Sequence, residues 1–336
     1  MMGTFTDQDR VLLAQACRAL EGARRPPERL TDQVEASWCA LLAEGARSIG
    51  VEVFSGGDRE DAVSRLVEKA GEAKEPTLYL TLEPKATFAR LPPVTESIRR
   101  LGVKRVVIGC LDPAQKLRGE GTTTLERMGV EVVLADGEEA RLAQTLLDPY
   151  SKWLHKGVAT LEARVELHPG TNGVDLQFSQ QDILPSSVDA VIYRAGKVPA
   201  QPIGSAWQVV LDAEGWERPA PRRVLYQSNE APQIPGTRRL AFENGFPDLG
   251  ALLRDLASLG LLTLELSDDP DLFRLALRFG LIENLKFPAD TVQALARAEK
   301  VRFLQGGTPL ELRFDNTRYS ELSGPNRYLE ARVELC

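Results

Sequence analysis

Histidine is nearly missing from this chain. Of 336 residues only His155 and His168 carry an imidazole, and none stands before position 155. The early part of the sequence therefore lacks the usual neutral metal ligand and proton shuttle. Cysteine is also sparse. Cys17, Cys39, Cys110 and Cys336 lie far apart with no C-x-x-C, which excludes a disulfide framework and predicts free buried thiols. No apolar run approaches the roughly eighteen residues that a membrane span requires. Positive charge is in deficit, 41 Lys and Arg against 48 Asp and Glu, a formal net charge of −7. That balance argues against a nucleic-acid partner. Internal repeats and low-complexity tracts are absent. The opening stretch, MMGTFTDQDRVLLAQACRAL, reads as an amphipathic helix starting behind Thr6 or Asp7. It has no signal-peptide apolar centre, so the expected location is cytoplasmic. Gly3 does not fit an acylation signal, because it is not the second residue.

What is present is alternation. The first half predicts helices at 7–22, 58–74, 94–101, 121–128 and 137–154. Strands are predicted at 37–45, 48–56, 77–83, 104–109 and 130–134. Near-continuous apolar strands such as KRVVIGC belong in a sheet covered on both faces. Gly102 and Gly129 each close a helix just before a strand. A boundary falls within LLDPYSKWLHKG (146–157), giving expected domains of 1–150 and 151–336. The second half predicts strands at 158–167, 188–194, 207–212, 223–227, 261–266, 281–287, 310–315 and 328–335. Its helices are expected at 247–259, 270–279 and 289–299, with loops at 168–186 and 228–247 where Pro, Gly, Asn and Gln gather. The fold class is α/β, with two three-layer α/β/α domains.

The stretch LYLTLEPKATFARLPPVTESIRRLGVKRVVIGCLDPAQKLRGEGTTTLERMGVEVV (78–133) closely resembles the deaminase half of the bifunctional riboflavin-biosynthesis deaminase/reductase family. That family runs T-L-E-P-C, a polar loop, G-R-T-P-P-C, a helix, a strand ending in D-P-N-P, then a G-x-G helix start. The resemblance covers roughly residues 5–155 and is gapless between Pro84 and Val94. It implies a cytidine-deaminase-like domain whose zinc is held by one His and two Cys, with a Glu relaying protons. Carried over, the cysteine positions hold Lys85 and Val94. The H-A-E positions fall on Glu60 and Ala62 in ungapped counting, or on Arg59 and Asp61 after a one-residue shift. Ammonium repels a dication and isopropyl offers no lone pair, so the resemblance implies a deaminase-like domain without zinc ligands and no expected metal. Lys85 either fills the vacated position with its own charge, paired with Glu83 or Asp61, or, as most such lysines do, simply reaches water. Pro92 and Pro93 set the entry to helix 94–101. The ligand-contact candidates are Lys85, Arg90, Asp112, Arg118, Gly119 and Gly121, the last three at a helix start whose amides suit an anion.

The second half resembles the family's reductase, a dihydrofolate-reductase-like domain, through WQVVLDAEGWERPAPRRVLYQ (207–227), DDPDLFRLALRFGLIENLKF (268–287) and SGPNRYLEARVEL (323–335). The family's E-G-G-P, whose glycines admit the cofactor's phosphates, corresponds to Ser267, Asp268, Asp269 and Pro270. Two aspartates there cap a helix well and repel a pyrophosphate. YRAGKVPAQPIGSAW (193–207) lacks the family's D-P-x-L-T-x-R. LQGGTPL (304–310) reads as a tight turn. No catalytic residue is assigned. The resemblance implies a catalytically silent relative with a binding, regulatory or assembly role and no expected cofactor. The alternatives are an NADPH-dependent pyrimidine reductase with a dead deaminase half, and an enzyme of changed, metal-free chemistry in the old cleft. The resemblance implies a homodimer and a phosphorylated pyrimidine or nucleotide-like ligand, while charge and hydropathy leave no nucleic-acid or membrane partner expected. The alternating strand YLEARVEL (328–335) fits a dimer interface and a monomer's outer strand equally.

Overall fold

The computed structural model describes residues 3–71, 73–170, 173–178, 188–202, 204–267, 269–288, 301–303, 305, 310–319 and 328–335. The chain divides into two units, Met1–Lys156 and Gly157–Cys336. Among the described residues no helix is long and apolar enough to cross a membrane.

The first unit contains α1 (Asp7–Ala23), β1 (Trp38–Glu44), β2 (Arg47–Phe54), α2 (Ala62–Ala70), β3 (Thr77–Leu80) and α3 (Val94–Leu101). β4 (Arg105–Ile108), α4 (Glu120–Arg127), β5 (Glu131–Leu134), α5 (Gly137–Leu146) and α6 (Asp148–Lys156) follow. Its sheet runs β2-β1-β3-β4-β5. β1 is antiparallel to β2 and β3, and β3, β4 and β5 are parallel. α1 starts behind Thr6, where Thr6 and Asp9 form a reciprocal capping box. It presses Leu12, Leu13, Ala16 and Leu20 onto Cys39, Leu41, Ala43, Tyr79, Val107 and Val133, one face of the sheet. α2 covers the other, since its Leu66 stands against Gly50, the register partner of Leu42.

Two helices depart from the sequence reading. α2 begins at Ala62 rather than 58, because Ser55 and Asp58 close a turn first and Asp61 then caps the helix. The single helix expected over 137–154 is two, α5 and α6. Pro149 has no N–H with which to continue the hydrogen-bond ladder of α5, whereas in the first turn of α6 none is needed, so the chain breaks near Leu147.

The second unit holds β6 (Thr160–Gly170), β7 (Gly173–Phe178), β8 (Ala190–Arg194), β9 (Trp207–Asp212), β10 (Arg223–Ser228) and β11 (Arg238–Leu240). Next come β12 (Phe242–Glu243), β13 (Phe246–Pro247), α7 (Leu249–Ser258), β14 (Thr263–Leu266) and α8 (Pro270–Arg278). β15 (Ile282–Pro288), β16 (Val301–Phe303), β17 (Leu310–Tyr319) and β18 (Tyr328–Leu335) complete it. The main sheet runs β11-β10-β9-β8-β14-β6-β15-β18-β17-β16-β7, and β7 also pairs with β6. Six strands thereby close on themselves and hide the edges that β6 and β7 would expose. The supposed loop at 168–186 is thus corrected in part. β6 reaches Gly170 and β7 returns antiparallel from Gly173, so Pro169 and Gly170 lie in a hairpin. Within 228–247 the short strands β11, β12 and β13 replace part of the expected loop. The helix expected at 289–299 lies outside the described residues. Phe178 meets Phe273 and Phe303 edge to face, and Phe273 lies tilted against Phe303, seating α8 on the closed part of the sheet.

Candidate functional site

The first unit carries a cleft where β1, β3 and the start of α3 converge. Trp38 and Phe54, stacked at 5.6 Å, line it with Leu82, Val94 and Tyr150. Its polar lining is Glu35, Asp61, Glu83, Lys85 and Asp112. Two of the four positions assigned to a zinc site, Lys85 and Val94, face this cavity. Glu60 is exposed and Ala62 is buried in the core, and neither lines it. Of the two registers weighed for the H-A-E positions, Asp61 is the residue that reaches the cleft.

Each carboxylate is already engaged. Asp61 accepts hydrogen bonds from Ser64 N at 2.9 Å, Ser64 Oγ at 2.6 Å and Ser97 Oγ at 2.9 Å. Glu83 accepts from the backbone amides of Asp112, Gly119 and Thr122 at 3.1, 3.0 and 3.1 Å. Asp112 accepts from Ala114 N at 2.8 Å. Burial pushes its carboxyl above the usual range, against the pull of that amide and of Lys85. Lys85 does not pair with Glu83 or Asp61. Its Nζ donates to Glu35 Oε1 at 3.0 Å, while Arg90 donates twice to Glu35 Oε2 at 2.9 and 2.6 Å. Lys85 turns to Glu35 because amides and hydroxyls already satisfy the other two acids.

The expected anion seat at the start of α4 is taken from within. Gly119, at φ 85°, sits at the cap, and its amide and that of Thr122 hold Glu83. Gly121 lets the chain pass the Pro84 carbonyl, where an added Cβ would stand 2.1 Å away. Arg118 is exposed and does not line the cavity.

Zinc does not fit these donors. The cleft offers an ammonium, an isopropyl group and carboxylates bound elsewhere, without imidazole or thiolate. Among the described residues no three His, Cys, Asp or Glu groups come together to hold a metal. Cys110 lies nearby in sequence, but its Sγ donates to Thr81 O at 3.2 Å.

In the second unit Asp269 caps α8, accepting from Leu272 N at 3.0 Å. Arg194 binds the same carboxylate, and Lys197 approaches it at 3.6 Å. Asp269 is fully buried. A pyrophosphate brought to this helix start would meet that carboxylate in its place. Ser267 N donates to Ile192 O, and Asp268 lies outside the described residues. Further into the same sheet, buried pairs cross neighbouring strands: Lys286 with Glu162 at 2.6 Å and Arg164 with Glu265 at 3.2 Å. Sequence reasoning missed Glu35, Trp38, Phe54 and Tyr150. Nothing in the motif marks them, because they come to the cleft from distant elements.

No established family profile matches the chain. Curated relatives do. The riboflavin biosynthesis protein RibD of Aquifex aeolicus is 38% identical over 101 residues, 30% of this chain and 28% of that protein. RibD of Synechocystis sp. is 38% identical over 102 residues, again 30% and 28%. A diaminohydroxyphosphoribosylamino-pyrimidine deaminase of Buchnera aphidicola is 36% identical over 76 residues, 23% of this chain and 52% of it. These matches therefore span about a quarter to a half of the relatives' length. Among solved structures, Acinetobacter baumannii RibD superposes with a TM-score of 0.63 at 17% identity, covering 98% of this chain and 99% of that one. A Thermotoga maritima deaminase/reductase gives 0.62 at 16% identity with the same coverage. At such identities the likeness is one of fold, and it extends over both units. The chain is thus similar in sequence to RibD proteins over about 30% of its length and similar in fold to deaminase/reductases of riboflavin biosynthesis over nearly all of it.

Proposed function

We propose that this protein is a catalytically silent relative of the deaminase/reductase, kept as a binding, regulatory or assembly component. The observation that carries the reading is the cleft itself. Lys85 and Val94 face the cavity where the resemblance places thiolates, and every carboxylate there is already bound. Metal-activated water would attack the aminopyrimidine in a zinc deaminase. Here no side chains would hold the metal. In the second unit Asp269, with Arg194 and Lys197 gathered on it, disfavours the phosphates of NADPH at the start of α8. The stacked Trp38 and Phe54 leave an apolar wall suited to a planar heterocycle, so a phosphorylated pyrimidine is the ligand class proposed.

Elemental analysis, chelator-sensitive deamination and NADPH fluorescence titration test the reading together. The expected outcome is substoichiometric zinc, no deamination and no NADPH binding, with thermal stabilisation by phosphorylated pyrimidines. Stoichiometric zinc with chelator-sensitive turnover would restore the deaminase. Tight NADPH binding would instead favour the reductase.

A further inference from the structure

Glu35 lies on the segment leading into β1, with its side chain 8% exposed. Two cations from a single loop between β3 and α3 converge on it: Lys85, and Arg90 five residues further on. The same loop presents Ala89, Leu91 and Pro92 to the cavity. Its far end is fixed where Thr95 N of α3 donates to Lys85 O at 3.3 Å. The Glu35 end is firm, because the Gly56 backbone packs so closely that a Cβ there would stand 3.0 Å from Glu35 O. Phe88 at the tip of the loop is 81% exposed.

A carboxylate this well covered is held by the charges it meets. Lys85 and Arg90 both engage Glu35, and Lys85 also acts on Asp112; Asp61 and Glu83, which line the same cavity, are held by hydroxyls and backbone amides rather than by these cations. An arginine fork and an ammonium grip any oxyanion of suitable size. We infer that Glu35 is an internal latch: it ties loop 84–93 against the cleft, and the cleft opens when an external phosphate or carboxylate displaces it from Lys85 and Arg90. This goes beyond the proposed function, since it concerns access and holds whatever the cavity admits.

The test reads access directly. Val94 lines the cavity and is 6% exposed. A Val94→Cys reporter in a Cys336→Ser background adds one thiol there. Burial silences the other three, pushing Cys17 and Cys110 up to about 12 and Cys39 higher. Alkylation by uncharged N-ethylmaleimide is followed by mass spectrometry on the full chain. Adding Glu35→Gln is expected to speed alkylation about tenfold, as local opening is released. Inorganic phosphate should speed the Glu35 parent more than sodium chloride of equal ionic strength, and should not speed Glu35→Gln. Circular dichroism and melting identify a variant that has lost its fold. In that event Arg90→Gln, on the exposed loop, carries the same expectation. Unchanged alkylation in a folded Glu35→Gln or Arg90→Gln chain would overturn the latch. Phosphate acting no better than chloride would overturn the exchange.

Discussion

Asp9 sits in the first turn of α1, 1% exposed, and its carboxylate collects donors from three places. Thr6 N donates at 2.8 Å, Tyr79 OH at 2.9 Å, and Arg105 through both terminal nitrogens at 2.7 and 2.8 Å. Burial opposes ionisation, but Arg105, Thr6 and Tyr79 outweigh it and hold the carboxyl at about 2. A folded value below the unfolded 3.8 means stability that is complete above the unfolded value and lost as pH falls through the folded one. Asp9→Asn should therefore cost about 2 kcal/mol at neutral pH. The gap between variant and parent in urea melts should shrink below about pH 4 and close near pH 2. Lys85 and Val94 were legible as single residues because T-L-E-P before them and the proline pair fix their place. Glu35 was not, since its role exists only opposite a loop fifty residues later.

At the level of elements, the start of α4 is organised by a carboxylate from the segment following β3 rather than by its own cap. Glu83 reaches three amides because Gly121 allows Pro84 to approach the helix. Gly121→Ala should force the two apart and cost roughly 2 kcal/mol or more, the scale of overpacking in a filled site. Gly119→Ala meets no atom within 4 Å and bears only the strain of φ 85°, about 1 kcal/mol. Urea melts of the two variants side by side check the order; equal losses would remove the close approach as the cause. The helix start was readable from RGEG, but its occupant was not. An anion seat and an internally satisfied one look alike in sequence, because the satisfying group comes from another element. Gly102 shows the opposite case: a left-handed C-cap at φ 75° follows from the residue type alone.

Across the whole molecule, each unit encloses its own apolar core. In the first, α1 and α2 cover opposite faces of the five-stranded sheet. Residues 1–156 expressed alone are expected to give one cooperative thermal transition. A broad, non-cooperative melt would show that the first unit depends on the second. In the second unit, burial pushes the Glu265 carboxyl up while Arg164 and Lys286 oppose it, on adjoining strands at the middle of the sheet. No local pattern announces such pairs. They read as ordinary alternation along β6, β14 and β15, and only the strand order makes them neighbours.

Residue order was enough for the succession of most strands and helices, most helix ends, and the lack of any histidine before residue 155 and of cysteine at positions 85 and 94, since these are properties of residue types and short-range spacing. Tertiary structure alone decided which acid each cation meets, that the α4 amides are filled from within, that Asp61 rather than Glu60 or Ala62 faces the cleft, and that β7 closes the second sheet onto β6. Those outcomes depend on groups far apart in the chain, and a charge or an amide takes whichever partner the fold brings within hydrogen-bonding distance.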